Sequence, residues 1–183
     1  AQVGGSNPNL LDNWYFADPI NQRGQIEYAG EEYTIDRWFN ANANGTAKVT
    51  DNGVLLVPDK GDMYFRQRVE ELKALLGKKL TFSVLTDDGR LLSATGTAPE
   101  SVPSSAATFA SEMTNDDIKI YAALLASGRF QVSINAYKGH SVTVKAAKLE
   151  IGAGQTLAYN ILGTKFFHSL VIPRGIDATL DTT

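Results

Sequence analysis

Through the middle of the chain, apolar residues either alternate with polar ones or gather in short runs bounded by turn residues. The segments are 46–49, 54–57, 63–69, 80–85, 91–97, 107–110, 118–124, 130–136 and 142–151. A period of two sends successive side chains to opposite faces, the signature of a strand with one face buried. Between the runs stand Asp51, Asn52 and Gly53; Asp59 to Asp62; Asp87, Asp88 and Gly89; Ser127 and Gly128; and Lys138 and Gly139. These residues tolerate the backbone angles of tight turns, so neighbouring strands are expected to pair as antiparallel hairpins. With no repeating helical segment between strands, the pattern predicts an all-β antiparallel sandwich rather than a parallel α/β sheet.

Two segments break the alternation. At 69–76, Val69, Leu72, Leu75 and Leu76 share one helical face ahead of Gly77, which predicts one short helix docked on the sandwich. At 98–106, Pro99 and Pro103 remove ladder donors and predict an irregular loop. The end of the chain differs in texture: an apolar stretch from Tyr159 to Ile172, interrupted by Gly163, follows neither period. The expected organisation is a linker at 1–8, a sandwich at 9–157, and a C-terminal extension at 158–183. Phe166, Phe167, Leu170, Val171 and Ile172 of that extension would be an exposed apolar patch unless they pack on the sandwich or on a neighbouring subunit.

Composition narrows the function classes. At 183 residues the chain can bury a core without metal or disulfide staples. A net charge of -3, with no basic run beyond Lys78 and Lys79, argues against nucleic acid as a partner. No apolar stretch approaches the roughly 20 residues of a membrane span, so membrane insertion is not expected. The absence of cysteine removes thiolate chemistry and Cys-based zinc sites.

Four segments, in this order, resemble a known family. They are NLLDNWYF with NQRGQ (from Asn9 and Asn21), YTIDRW (from Tyr33), QRVEELKALLGKKLTFSV (from Gln67) and KLEIGAGQTL (from Lys148). Together they are similar to the jelly-roll, carbohydrate-binding-module-like domains of phage and prophage tail and fibre proteins. The resemblance spans roughly residues 9–157 and does not extend to the tail. It implies a jelly-roll β-sandwich at the surface of a virion, a homotrimer, and a host-surface glycan or receptor and other virion proteins as partners. Read without the resemblance, Asn9, Asp12 and Asn13 suit side-chain hydrogen bonds that fix an irregular chain entry. Leu10, Leu11 and Phe16 suit a first strand. Arg37, beside Asp36 and Trp38, suits a guanidinium stacked on an aromatic ring, with a structural role preferred for the trio.

Catalytic motifs are missing. His140 and His168 lack metal-ligand spacing, and no Gly-x-Ser-x-Gly elbow or phosphate loop occurs. The acids sit mostly in turns. No cofactor is expected, although the pairs Asp87 and Asp88, Asp116 and Asp117, and Asp59 and Asp62 leave a structural calcium ion as an alternative. Sugar binding by a sandwich uses aromatic faces against pyranose C–H groups, with polar neighbours for the hydroxyls. Tyr64 with Arg66, Tyr121 with Lys119, and Tyr137 with Asn135 are each two residues apart, on one face of a strand. The candidate carbohydrate-binding residues are therefore Tyr64, Arg66, Tyr121, Asn135 and Tyr137. The expected function is non-catalytic recognition of host-surface carbohydrate or another receptor. A purely structural fibre, collar or decoration module is the alternative, and a polysaccharide depolymerase or its accessory module the more distant one.

Overall fold

The computed structural model describes residues 7–70, 73–114 and 116–154. In chain order its strands are β1 (Glu27–Tyr28), β2 (Phe39–Asn40), β3 (Thr46–Thr50), β4 (Gly53–Val57), β5 (Met63–Val69), β6 (Lys79–Thr86), β7 (Leu91–Thr97), β8 (Ala107–Thr114), β9 (Ile118–Leu124), β10 (Phe130–Ala136) and β11 (Val142–Ile151). They form a six-stranded sheet, β1-β3-β4-β11-β6-β7, and a five-stranded sheet, β2-β5-β10-β9-β8. Every strand pair is antiparallel. The fold class read from the alternation is thus the one observed.

All nine expected strands are present, and β5, β7, β9, β10 and β11 begin and end at the expected residues. β8 runs four residues further, to Thr114. A register shift between Thr108 and Ala110 breaks the alternation there, so the polar continuation Ser111 to Thr114 does not read as strand. β4 pairs with β11 in the six-stranded sheet and β5 with β10 in the five-stranded one, so the chain passes from one layer to the other between β4 and β5 and again between β10 and β11. The β6–β7 hairpin and the β8–β9–β10 meander each stay within one sheet.

Two local expectations are corrected. Val69 closes β5, paired with Phe130, and among the described residues the helix reduces to one 3-10 turn at Lys73–Leu75. The shared spacing of Val69, Leu75 and Leu76 is satisfied equally by a strand end followed by one turn, and buried Leu75 docks that turn on the core. Leu72 lies outside the described residues. Gly77 does end the turn, at φ 74°. Second, the segment from Leu10 to Phe16 is not a regular strand. It runs beside β11 through Leu10 N–H to Leu149 O, Ala147 N–H to Trp14 O, and Phe16 N–H to Lys145 O, with one bridge at Tyr15 and Ala146. β4 pairs β11 only over Val142 to Val144, and this segment takes the position beyond.

Asparagine side chains hold that irregular entry, as expected. Asn9 Oδ1 accepts from Leu11 N–H and Leu149 N–H while its Nδ2 donates to Ala147 O. Asn13 Nδ2 donates to Ile20 O and Asp36 O, and its Oδ1 accepts from Ile20 N–H. The core between the sheets is centred on Trp38, Phe65 and Phe16, all fully buried. Trp38 stacks on Phe65 at 5.1 Å and 7°, and Phe16 meets it edge-on at 5.0 Å. Each such ring contributes on the order of 2–3 kcal/mol by burial alone. Trp38 is fully buried, whereas the Arg37 side chain is 43% exposed and points to carboxylates, its guanidinium 3.3 Å from Asp12 and 3.7 Å from Glu70. The expected packing of the 158–183 extension, the 1–6 part of the linker and His168 all lie outside the described residues.

Candidate functional site on the outward face of the five-stranded sheet

In β5, Met63, Phe65, Gln67 and Val69 are buried between the sheets, so Tyr64, Arg66 and Arg68 face outward. The register carries that face across the sheet. Arg66 lies opposite Ser133 of β10, which lies opposite Tyr121 of β9. Tyr64 lies opposite Asn135, which lies opposite Lys119, and Arg68 lies opposite Gln131. Tyr64, Arg66, Tyr121 and Asn135 come from three strands spread over 70 residues of chain, and the fold brings them into one patch. Tyr137 follows the end of β10 and reaches the same face, its hydroxyl donating to Met113 Sδ on β8 at 3.3 Å.

The patch is internally bonded. Arg66 Nε donates to Ser133 Oγ at 3.0 Å and its Nη2 donates to the Tyr121 hydroxyl at 2.7 Å. Ser133 Oγ donates in turn to Asn135 Oδ1 at 2.6 Å. The Arg66 guanidinium sits 4.9 Å from the Tyr64 ring centre and 5.8 Å from that of Tyr121. Short polar residues on β10 make a floor, and long side chains on β5 and β9 make its walls. This is why Ser133, Asn135 and Gln131 are buried although they face away from the core. The arrangement sets hydrogen-bonding groups and aromatic rings in fixed positions, which lowers the ordering cost of a polar ligand.

A groove of about 340 Å³ runs along the β2 edge of this face, lined by Glu31, Glu32, Tyr33, Phe39, Asn40, Ala41, Arg66 and Arg68. Tyr33 is 56% exposed and packs on Phe39 at 5.4 Å. Arg68 stacks 4.9 Å over Phe39 and donates from Nε to Gln131 Oε1 at 3.0 Å. Tyr33, Phe39, Arg68 and Gln131 were not among the expected site residues. For Arg68 and Gln131 a signal existed, since each continues the two-residue alternation of Arg66 or Asn135. Tyr33 sits in a loop and Phe39 in a two-residue strand, where no periodicity operates.

Burial pushes the Tyr137 phenol above its ordinary range, reinforced by Asp62, Asp116 and Tyr64. Three of the six acids weighed as calcium ligands have other partners. Asp88 accepts from Thr86 and pairs with Arg90, Asp117 pairs with Arg90 at 2.8 Å, and Asp62 accepts from Lys138 N–H. No group of three or more acidic, histidine or cysteine side chains converges among the described residues. His140 is an exposed turn residue.

No family model, curated protein or solved structure matches the chain. Its class is defined by its own coordinates: a two-sheet antiparallel β-sandwich that carries a preorganised aromatic and guanidinium patch on one sheet face.

Proposed function

We propose that the chain is a non-catalytic binding domain that recognises carbohydrate on the outward face of its five-stranded sheet, as part of a phage tail or fibre contacting the host surface. What carries this reading is the convergence of Tyr64, Arg66, Tyr121 and Asn135 on neighbouring rows of three strands. A sugar presents apolar C–H faces and polar hydroxyl edges together, and a patch of rings interleaved with fixed donors and acceptors complements both. The virion placement rests on the four resembling segments quoted above. Homotrimeric display belongs to the same reading, since three linked weak sites raise avidity by orders of magnitude without any new contact. The test is binding of the full chain to host-envelope polysaccharide, followed by calorimetry and by light scattering for the oligomer. Saturable binding lost in Arg66→Ala is the expected result. Absence of binding to every envelope preparation, or binding unchanged in that variant, refutes the assignment.

A further inference from the structure

Beside the groove is a smaller pocket of about 120 Å³, lined by Tyr33, Arg37, Arg68, Glu70 and Arg129. It shares Tyr33 and Arg68 with the groove. Three guanidinium groups face one carboxylate there, in a chain whose net charge is -3. The outward strand positions of β5, β9 and β10 carry Arg66, Arg68 and Lys119 and no carboxylate. The two carboxylates lining the groove, Glu31 and Glu32, lie ahead of β2, where Glu32 is already paired with Arg23 at 3.0 Å. A local excess of positive charge against the sign of the whole chain focuses attraction on an anion.

The guanidinium groups are also unevenly used. Arg37 is shared between Asp12 and Glu70. Arg68 spends Nε on Gln131 and its plane on Phe39, and it lines both the pocket and the groove. The Arg129 guanidinium has no hydrogen bond or ion pair among the described residues, although its backbone is fixed by Leu125 and Ser127. Planar guanidinium forks match the paired oxygens of a carboxylate or sulfate. At roughly 30 Å³ per water, the pocket has the room of about four waters, enough for such a head group but not for a whole sugar ring.

We infer that the preferred ligand is an acidic saccharide, its anionic carboxylate or sulfate group held by Arg68 and Arg129 in this pocket while the sugar ring lies in the adjoining groove against Tyr33. The inference rests on the carbohydrate reading above and narrows it to a substrate class. Tyr33 spans both compartments, so one ring can contact the sugar while the guanidinium groups hold its substituent.

The experiment is a titration of the full chain with three soluble polysaccharides, one neutral, one a polyuronate and one sulfated, at low and at high salt. Arg129→Gln is the decisive variant, because that guanidinium has no described partner and its loss leaves folding intact. The expected result is at least tenfold tighter binding of one or both acidic polymers than of the neutral one. That preference weakens with salt and is reduced about tenfold or more in Arg129→Gln and in Arg68→Gln. The polyuronate and sulfated arms distinguish which oxyacid is held. Equal binding of neutral and acidic polymers, or an acidic preference untouched by Arg129→Gln, overturns this inference and leaves the carbohydrate reading standing. Binding to none of the three overturns this inference, and the envelope-binding test then decides the carbohydrate reading separately.

Discussion

The two outward sheet faces of the sandwich are both polar, yet they are built to opposite ends. On the six-stranded sheet the outward rows are Ser93, Ser83 and Lys148, and Thr95, Thr81 and Glu150. Their hydroxyls bond one another at 2.8 Å in both rows, and Thr81 also donates to Gly152 O. Lys148 and Glu150 are fully buried and 3.9 Å apart, with Asn7 donating to Glu150. On the five-stranded sheet short residues of β10 form a floor, the rings and guanidinium groups of β5 and β9 stand beside it, and grooves adjoin them. A polar sheet face therefore has no single meaning: one face buries its ion pair beside hydroxyls bonded to each other, and the other braces rings and guanidinium groups at the surface, where grooves adjoin them.

That contrast is broken most severely at Lys148. Lys148→Ala removes a fully buried cation 3.9 Å from the fully buried Glu150 and is expected to cost about 3–5 kcal/mol, read as a lowered denaturant midpoint. Replacing both partners together, Lys148→Met with Glu150→Leu, is expected to recover most of that loss. A cost below about 1 kcal/mol for the single change shows that the face is not closed by this pair. Next comes Ser83→Ala, which removes the buried Ser83 hydroxyl and its bond to Ser93 and is expected to cost about 1 kcal/mol in the same measurement.

On the open face the order of effects reverses. Arg66→Ala is expected to change stability by less than about 1 kcal/mol, because the guanidinium is half-buried and Ser133 keeps its bond to Asn135. Its effect belongs to binding, and a stability loss as large as that of Lys148→Ala erases the distinction between the faces. The smallest effect concerns pH. The folded Tyr137 phenol titrates above its unfolded value of about 10, so its contribution is complete below that pH and is lost as pH rises through the raised folded value. Alkaline unfolding curves are expected to show this decline in the native chain and a shallower one in Tyr137→Phe.

Much of the site was legible before any coordinates. Alternation placed Arg66 with Tyr64, and it extended to Arg68 and Gln131 had it been followed one step further. It could not tell that β5, β10 and β9 would be neighbours, and the bond from Arg66 to Tyr121 crosses 55 residues of chain. It also misread residues 69–76, since Val69, Leu75 and Leu76 at helical spacing fit a strand end and a single turn just as well.

By itself, then, the order of residues determined nine of the eleven strands and which side chains share a face of each, because both follow from local backbone geometry and a period of two. Only the tertiary structure decided that Phe65 rather than Arg37 stacks on Trp38, that Lys148 and Glu150 are buried, and that Tyr33, Arg68 and Arg129 meet at one pocket. Those contacts depend on which strands pair and in what register. That choice is made by the burial of both sheets against a common core, a property of the whole chain and of no single segment.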